Sequence, residues 1–285
     1  MATRSSGPRR GLGAVAWHLS MLAGLALVLY PLLWLVASSL KPSGEIVGDL
    51  ELIPESPTAA NYGSAMEGIG RVPAWTFFLN SLVLSSGAVV GMLLSCTITA
   101  YALGRMRFRG RGVMFAAMIA TLLLPFHVML IPQYIVFQRL DLVDTYIPLL
   151  IGKFLAADAF FVFLFVQFLR GIPRELDQAA RIDGAGHWRT FWNVLLPLMR
   201  PALITGSIFT FIWTWNDFLG PLIYLNSPDQ YPLPLALKLY IDQQEFSDYG
   251  AMIAMSVLSL VPVGLFFLAF QRFLVGGIAT SGIKG

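Results

Sequence analysis

The stretch QAARIDGAG, Gln178 to Gly186, decides how this chain is read. It is charged, built from small side chains and closed by glycine, yet it lies in a sequence of 285 residues that is 56% hydrophobic and only 12% charged. A soluble domain carries roughly 25% charged residues. With a mean hydropathy of +0.70, this chain has lipid as its main surroundings, and the stretch marks a place where it returns to water.

Working outward, the segment from Arg170 to Arg200 reads RGIPRELDQAARIDGAGHWRTFWNVLLPLMR. Pro173 suits a first helical turn, Glu175 and Asp177 fall where the positive end of a helix favours acids, and Gly184 supplies the residue that closes a helix at positive φ. Leu176, Ala179, Ala180 and Asp183 recur at helical spacing on one face. The segment predicts a short helix with a smooth stripe of small residues. Such a stripe has little area to bury but lets a backbone approach closely into a partner's groove; an ordinary interfacial connector is the alternative. A second amphipathic turn follows, in which Trp188, Phe191, Trp192 and Leu195 can lie along the membrane surface or beneath a bundle.

On either side the sequence is organised by apolar runs of the length that crosses a hydrocarbon core about 30 Å thick. Six are present: Ala14 to Ser38, Phe77 to Leu103, Val113 to Phe137, Thr145 to Leu169, Pro201 to Leu225 and Tyr249 to Phe270. The first is longer than the roughly 7–15-residue apolar region of a secretory signal and is read as a retained helix. Pro125 and Pro132 interrupt the third, where each removes a helical hydrogen bond. His127 lies between them, a lone histidine read as a packing residue.

Short basic loops stay on the cytoplasmic side. Arg4, Arg9 and Arg10 precede the first run; Arg105, Arg107, Arg109 and Arg111 separate the second from the third; Arg170, Arg174, Arg181, Arg189 and Arg200 lie between the fourth and fifth; Arg272 and Lys284 follow the sixth. The alternate loops hold only Lys41, Arg71, Arg139 and Lys238, with Lys153 inside the fourth run. Both termini are therefore expected in the cytoplasm, and the 170–200 segment with them. The basic balance reflects this threading rather than nucleic acid. The single cysteine, Cys96, excludes an intrachain disulfide and a cysteine metal cluster.

The pattern Gln178-Ala179-Ala180, two residues, Asp183-Gly184-Ala185, then Phe191 and Pro197, resembles the EAA loop of permease subunits in binding-protein-dependent ABC importers. Asn80-Ser81 opening the second run, Trp215-Asn216-Asp217-Phe218 in the fifth, and the ending Gly276-Gly277-Ile278-Ala279 through Lys284-Gly285 extend the resemblance to nearly the whole chain. Together they look like the sugar-importer branch, and within it the smaller of two paired permeases.

The resemblance implies an all-α type I importer permease fold in a bacterial or archaeal cytoplasmic membrane. It would have six transmembrane helices over 14–275, cytoplasmic tails 1–13 and 276–285, and a coupling loop between helices four and five. It also implies a second homologous permease, two ATPase subunits that bind ATP and Mg, an extracytoplasmic solute-binding protein and a carbohydrate substrate. Asp177, Gln178, Ala179, Ala180, Asp183, Gly184 and Ala185 would couple to the ATPase, with Gln178 standing where the motif has an acid.

ATP hydrolysis is not expected of this chain, because a phosphate-cradling loop needs G-x-x-x-x-G-K-[ST]. None of Lys41, Lys153, Lys238 and Lys284 stands in that pattern. Charges inside the membrane are costly and are usually paired or turned to water, which makes Lys153, Asp158, Asn216 and Asp217 candidates for a pathway or a helix latch. Lys153 and Asp217 sit at similar depth and could pair between the fourth and fifth helices, whereas Asp158 falls off the helical face of Lys153. An ion-coupled secondary transporter using Asp158 and Asp217 is the main alternative; a membrane hydrolase built on His127 is a weaker one. Trp213, Trp215, Phe160 and Phe161 could stack on sugar rings or pack in lipid.

Overall fold

The computed structural model describes residues 9–241 and 248–281. They form helices and loops with no strand, apart from an isolated bridge between Ile69 and Val72. Helix α1 (Arg9–Ser38) begins inside the expected tail 1–13, and the last described helix continues to Ser281 within the expected tail 276–285.

Among the described residues, Gly13–Ser38, Ala74–Arg105, Ile147–Gly171 and Tyr249–Gln271 are helical stretches long and apolar enough to cross a membrane. A fifth crossing is available if His187–Leu198 and Arg200–Trp215, which meet at 74°, act as one span. The run from Val113 to Phe137 is not a single helix. It divides into α4 (Arg111–Thr121) and α5 (Phe126–Arg139), after α2 (Ala60–Glu67) and α3 (Ala74–Arg105). Pro125 is the divider: it is extended at φ −62, ψ 127, lacks a donor, and forces the residue before it out of the helical region. Pro132 lies within α5.

The chain divides into two compact units. In the one made of Met1–Gly68 and Tyr240–Leu258, the carbonyls just beyond α1 are gathered by side chains. Asn61 Nδ2 donates to Ser39 O at 2.8 Å and Lys41 O at 2.7 Å. The Lys41 side chain, 1% exposed, donates to Asp49 at 2.7 Å and to Glu51 O at 2.6 Å. A buried ammonium is tolerable only with such a full set of partners.

The second unit, Ile69–Leu239 with Ser259–Gly285, is built around α3. This helix packs against α6 (Ile147–Phe154), α7 (Ala159–Gly171) and α11 (Arg200–Trp215). Met92, Cys96, Ala100 and Leu103 recur at helical spacing and meet Phe161, Val162, Phe165, Val166 and Leu169 of α7. In lipid there is no hydrophobic drive between helices, so association depends on small residues that allow close approach. Gly206 of α11 is such a residue: a Cβ there would lie 2.9 Å from the Phe165 ring. Between α7 and α11 come α8 (Glu175–Ile182), α9 (His187–Thr190), a π-helical turn Phe191–Leu195 and α10 (Leu196–Leu198). Beyond α11 come α12 (Leu219–Tyr224) and α13 (Leu233–Leu239), and α14 (Tyr249–Ser281) runs through both units.

Candidate functional site

The predicted short helix is α8, with Glu175 and Asp177 in its first turn. Its end follows from one glycine. Gly184 adopts φ +77, the left-handed conformation that only glycine enters without cost. The chain then folds back so that Ala185 N–H bonds Ala180 O at 2.8 Å and Gly184 N–H bonds Arg181 O at 3.0 Å, the paired closure of a Schellman end.

Arg105, counted in the sequence only as a topology charge, holds α8 to the bundle. Its side chain is 5% exposed and bonds Asp177 at 2.9 Å. Its second terminal nitrogen donates to Leu169 O and Ile172 O, both at 2.7 Å, the carbonyls left open where α7 ends. One guanidinium thus joins the end of α3, the end of α7 and the first turn of α8. Tyr101, a turn earlier on α3, donates to His187 O at 3.1 Å, and its ring lies 5.1 Å from that of Phe191.

This attachment sorts the faces of α8. Asp177 is turned to the bundle, and Ala180, in the expected docking stripe, is only 7% exposed. Leu176, Ala179, Ala180, Asp183 and Ala185 line a groove of about 340 Å³ against Arg189, Asn193 and Val194. The rest of α8 is exposed, and Ile182, at 87%, stands out as its outward apolar side chain. Periodicity found the stripe but not which side of it the rest of the chain would take.

Deeper in the second unit, the fourth run is broken between α6 and α7, with Ala156 at φ +55. The break overturns the expected geometry of Lys153. Because the helix does not continue, Asp158 swings back, and its carboxylate meets Lys153 Nζ at 2.9 Å; the pair is Lys153 with Asp158 rather than with Asp217. Ser95 of α3 donates its hydroxyl to Lys153 O at 2.5 Å, supplying a partner for a carbonyl at the end of α6. Asp217 accepts the Gly220 N–H at 3.1 Å at the start of α12, and Asn216 bonds Ile212 O at 2.8 Å at the end of α11. Lys153, Asp158, Trp213, Thr214 and Asp217 nevertheless line one cavity of about 490 Å³. Of the aromatic candidates, Phe161 and Trp215 are core, whereas Phe160 and Trp213 stay half exposed with ring centroids 5.7 Å apart.

Outside the apolar spans, Asp144 at φ 62 ties the α5–α6 connection to the segment after α12. Its carboxylate takes the Ser227 hydroxyl at 2.5 Å and the N–H groups of Asn226 and Ser227 at 2.8 and 3.0 Å. The Ser227 hydroxyl first, and the two amides after it, hold this carboxyl below its ordinary range. No group of three or more potential metal ligands occurs among the described residues.

An all-helical chain with several apolar spans, one of them broken beside paired charges, defines a multi-pass membrane protein. Comparison then fixes the family: residues 87–279 match the one described as "Binding-protein-dependent transport system inner membrane component", and the chain belongs to it. It is a multi-pass subunit of the cytoplasmic membrane. Its relatives include the arabinooligosaccharides transport system permease protein AraQ of Halalkalibacterium halodurans, 34% identical over 91% of this chain and 92% of that one. The diacetylchitobiose uptake system permease protein NgcG of Streptomyces coelicolor is 32% identical over 100% of this chain and 93% of its own. The sn-glycerol-3-phosphate transport system permease protein UgpE of Yersinia pestis is 33% identical, covering 96% and 98%. A crystal structure of a bacterial ABC transporter involved in the import of the acidic polysaccharide alginate has the same fold in one chain. That match has a TM-score of 0.81 at 24% identity and covers 95% of this chain and 99% of the other.

Proposed function

We propose that this chain is the transmembrane permease of an ATP-driven carbohydrate importer and crosses the membrane six times with both termini in the cytoplasm. The sixth crossing is made by α4 and α5 together, on either side of Pro125. A second, homologous permease completes the pathway, an extracytoplasmic binding protein delivers the sugar, and two cytoplasmic ATPase subunits carry the ATP and Mg. Helix α8 is the part an ATPase subunit grips.

The observation that carries this reading is the buried contact of Arg105 with Asp177. A partner moving α8 cannot do so without moving the ends of α3 and α7, because the same guanidinium holds all three. The bundle then works as a two-state device biased by a force applied at one end. The cavity of Lys153, Asp158 and Asp217 lies along the pathway, lined by charges and by Trp213, which suit hydroxyls and a sugar face. No covalent step on the substrate is needed.

The test separates docking from folding. Ile182→Glu alters a side chain that is 87% exposed, and it is expected to leave membrane insertion and melting unchanged while reducing ATPase co-purification and coupled transport at least about tenfold, as for an apolar contact at the centre of an interface. Ala180→Trp acts on a buried site and is expected to lower the melting temperature as well. Wild-type transport in Ile182→Glu, at wild-type levels of ATPase attachment, would refute the gripping of α8.

A further inference from the structure

Beside α8, on the side away from the small-residue groove, lies a cavity of about 430 Å³ lined by Tyr101, Arg105, Arg107, Arg174, Arg181 and His187, with Asp177 and Gln178 completing the wall. Four guanidiniums face a single carboxylate, and that carboxylate is already engaged by Arg105. Arg107, Arg174 and Arg181 have no carboxylate partner among the described residues. Arg107 comes from beyond the end of α3, Arg174 from the residue just before α8 and Arg181 from its last turn. The Nε of the nearly buried Arg105 has no hydrogen-bond acceptor among the described residues.

We propose that this cavity is a binding site for a phosphate dianion. Guanidinium forks match phosphate oxygens two at a time and hold them more strongly than neutral donors do. The charge count favours phosphate over an acidic side chain: one carboxylate would leave most of the excess uncompensated, whereas a phosphate monoester brings about −1.5 to −2. The Tyr101 and His187 rings complete the same wall. A liquid water occupies ~30 Å³, so the volume admits a phosphate group with several waters. Such an anion would draw α8 and the α3–α4 connection together, bracing the helix that the coupling reading assigns to the ATPase; placement on the cytoplasmic side rests on that reading, and the binding chemistry does not. The shared chemistry has two sources, free phosphate and the headgroup of a monoester lipid in the inner leaflet.

Full-length chain in nanodiscs of phosphatidylcholine, titrated calorimetrically with inorganic phosphate, is expected to show one saturable site. Arg107→Gln, Arg174→Gln and Arg181→Gln are each expected to weaken it about tenfold or more, the loss of one charge-assisted contact. Arg109→Gln, which removes the same charge from the same loop but does not line the cavity, is expected to bind as wild type. In a second arm, nanodiscs containing phosphatidic acid are exchanged into detergent and the retained lipid is weighed by native mass spectrometry. One lipid per chain, lost in the triple variant and blocking the phosphate titration, assigns the site to the headgroup; phosphate binding without lipid retention assigns it to the free anion. Absence of both, or unchanged binding in the triple variant with wild-type melting, overturns the proposal. So does loss of the bound phosphate when the ATPase subunit attaches, which would give the cavity to an acidic side chain of that partner. Because binding is read on the isolated chain, its failure leaves the result for Ile182→Glu untouched.

Discussion

Arg105 concentrates three functions in one side chain. Its guanidinium closes the open carbonyls of α7, neutralises Asp177 and fixes the first turn of α8. Removing one partner of a buried pair costs about 3–5 kcal/mol, mostly because the other charge is left unsatisfied. Arg105→Ala is expected to lower stability by about 3 kcal/mol, read as a fall in melting temperature in detergent, and to uncouple ATPase activity from solute. Asp177→Asn, which keeps a hydrogen-bond acceptor, is expected to cost less. The swapped pair Arg105→Asp with Asp177→Arg is expected to recover little, because an aspartate cannot donate to Leu169 O and Ile172 O. Recovery to wild type would mean that charge alone matters at this site.

Asp144 makes the complementary case for pH. Its carboxyl is held below its ordinary value by the Ser227 hydroxyl and the amides of Asn226 and Ser227. The folded value lies below the unfolded value of about 3.9, so the stabilisation is complete above that value and is lost as pH falls through the folded one. Melting temperature between pH 7 and 5 is expected to be flat with respect to this group, with a loss appearing only below about pH 4. In Asp144→Asn that acid-side loss is expected to shrink and the neutral-pH melting temperature to drop. An unchanged acid limb in Asp144→Asn would show that other carboxylates dominate it.

At the scale of elements, what the sequence could disclose depended on which residue made each break. Pro125 and Gly184 act through their own covalent chemistry, and both the division of the third run and the end of α8 fall where those residues stand. The break between α6 and α7 carries no such mark. Ala156, an ordinary residue at φ +55, stands between Lys153, whose carbonyl takes Ser95, and Asp158, which pairs with Lys153, contacts from residues far apart in sequence or across the break itself. Hydropathy therefore read Thr145 to Leu169 as one helix and put Asp158 off the face of Lys153. The inward turn of Ala180 was hidden for the same reason, since a stripe of small residues suits an intramolecular groove as well as a partner's.

Glycines in the helices divide along the same line. Gly206→Ala places a methyl 2.9 Å from the Phe165 ring and is expected to destabilise by about 1–3 kcal/mol through overpacking. Gly264→Ala, with nothing within 4 Å, is expected to be neutral or to stabilise by up to about 1 kcal/mol through helix propensity. Thermal unfolding of the two variants side by side reads the difference. Equal shifts would indicate that α11 does not need its close approach to α7.

For the molecule as a whole, the number of crossings sets the sidedness of every loop. The six crossings proposed, with both termini in the cytoplasm, would leave Arg109 in the cytoplasm and Gly63 outside. In a Cys96→Ser background, cysteine at Gly63 is expected to react with an impermeant thiol reagent added to intact cells, and cysteine at Arg109 only after lysis; Ser247, another expected outer position, lies outside the described residues. External labelling of the Arg109 position would reverse the assigned threading.

The bond from Ser95 to Lys153 O also bears on how the chain is expected to enter the membrane. A segment that enters lipid with an opened carbonyl, an ammonium and a carboxylate is a poor candidate to leave the translocon alone, since each unsatisfied polar group in hydrocarbon costs several kcal/mol. Its missing donor resides on α3, which has already emerged when residues 147–171 are being made. The expected consequence is that integration of residues 147–171 is helped by an α3 already in place beside them. Ser95→Ala is expected to lower the fraction of chains in which 147–171 integrates, scored by glycosylation tags in a translation extract, while leaving integration of α3 itself unchanged.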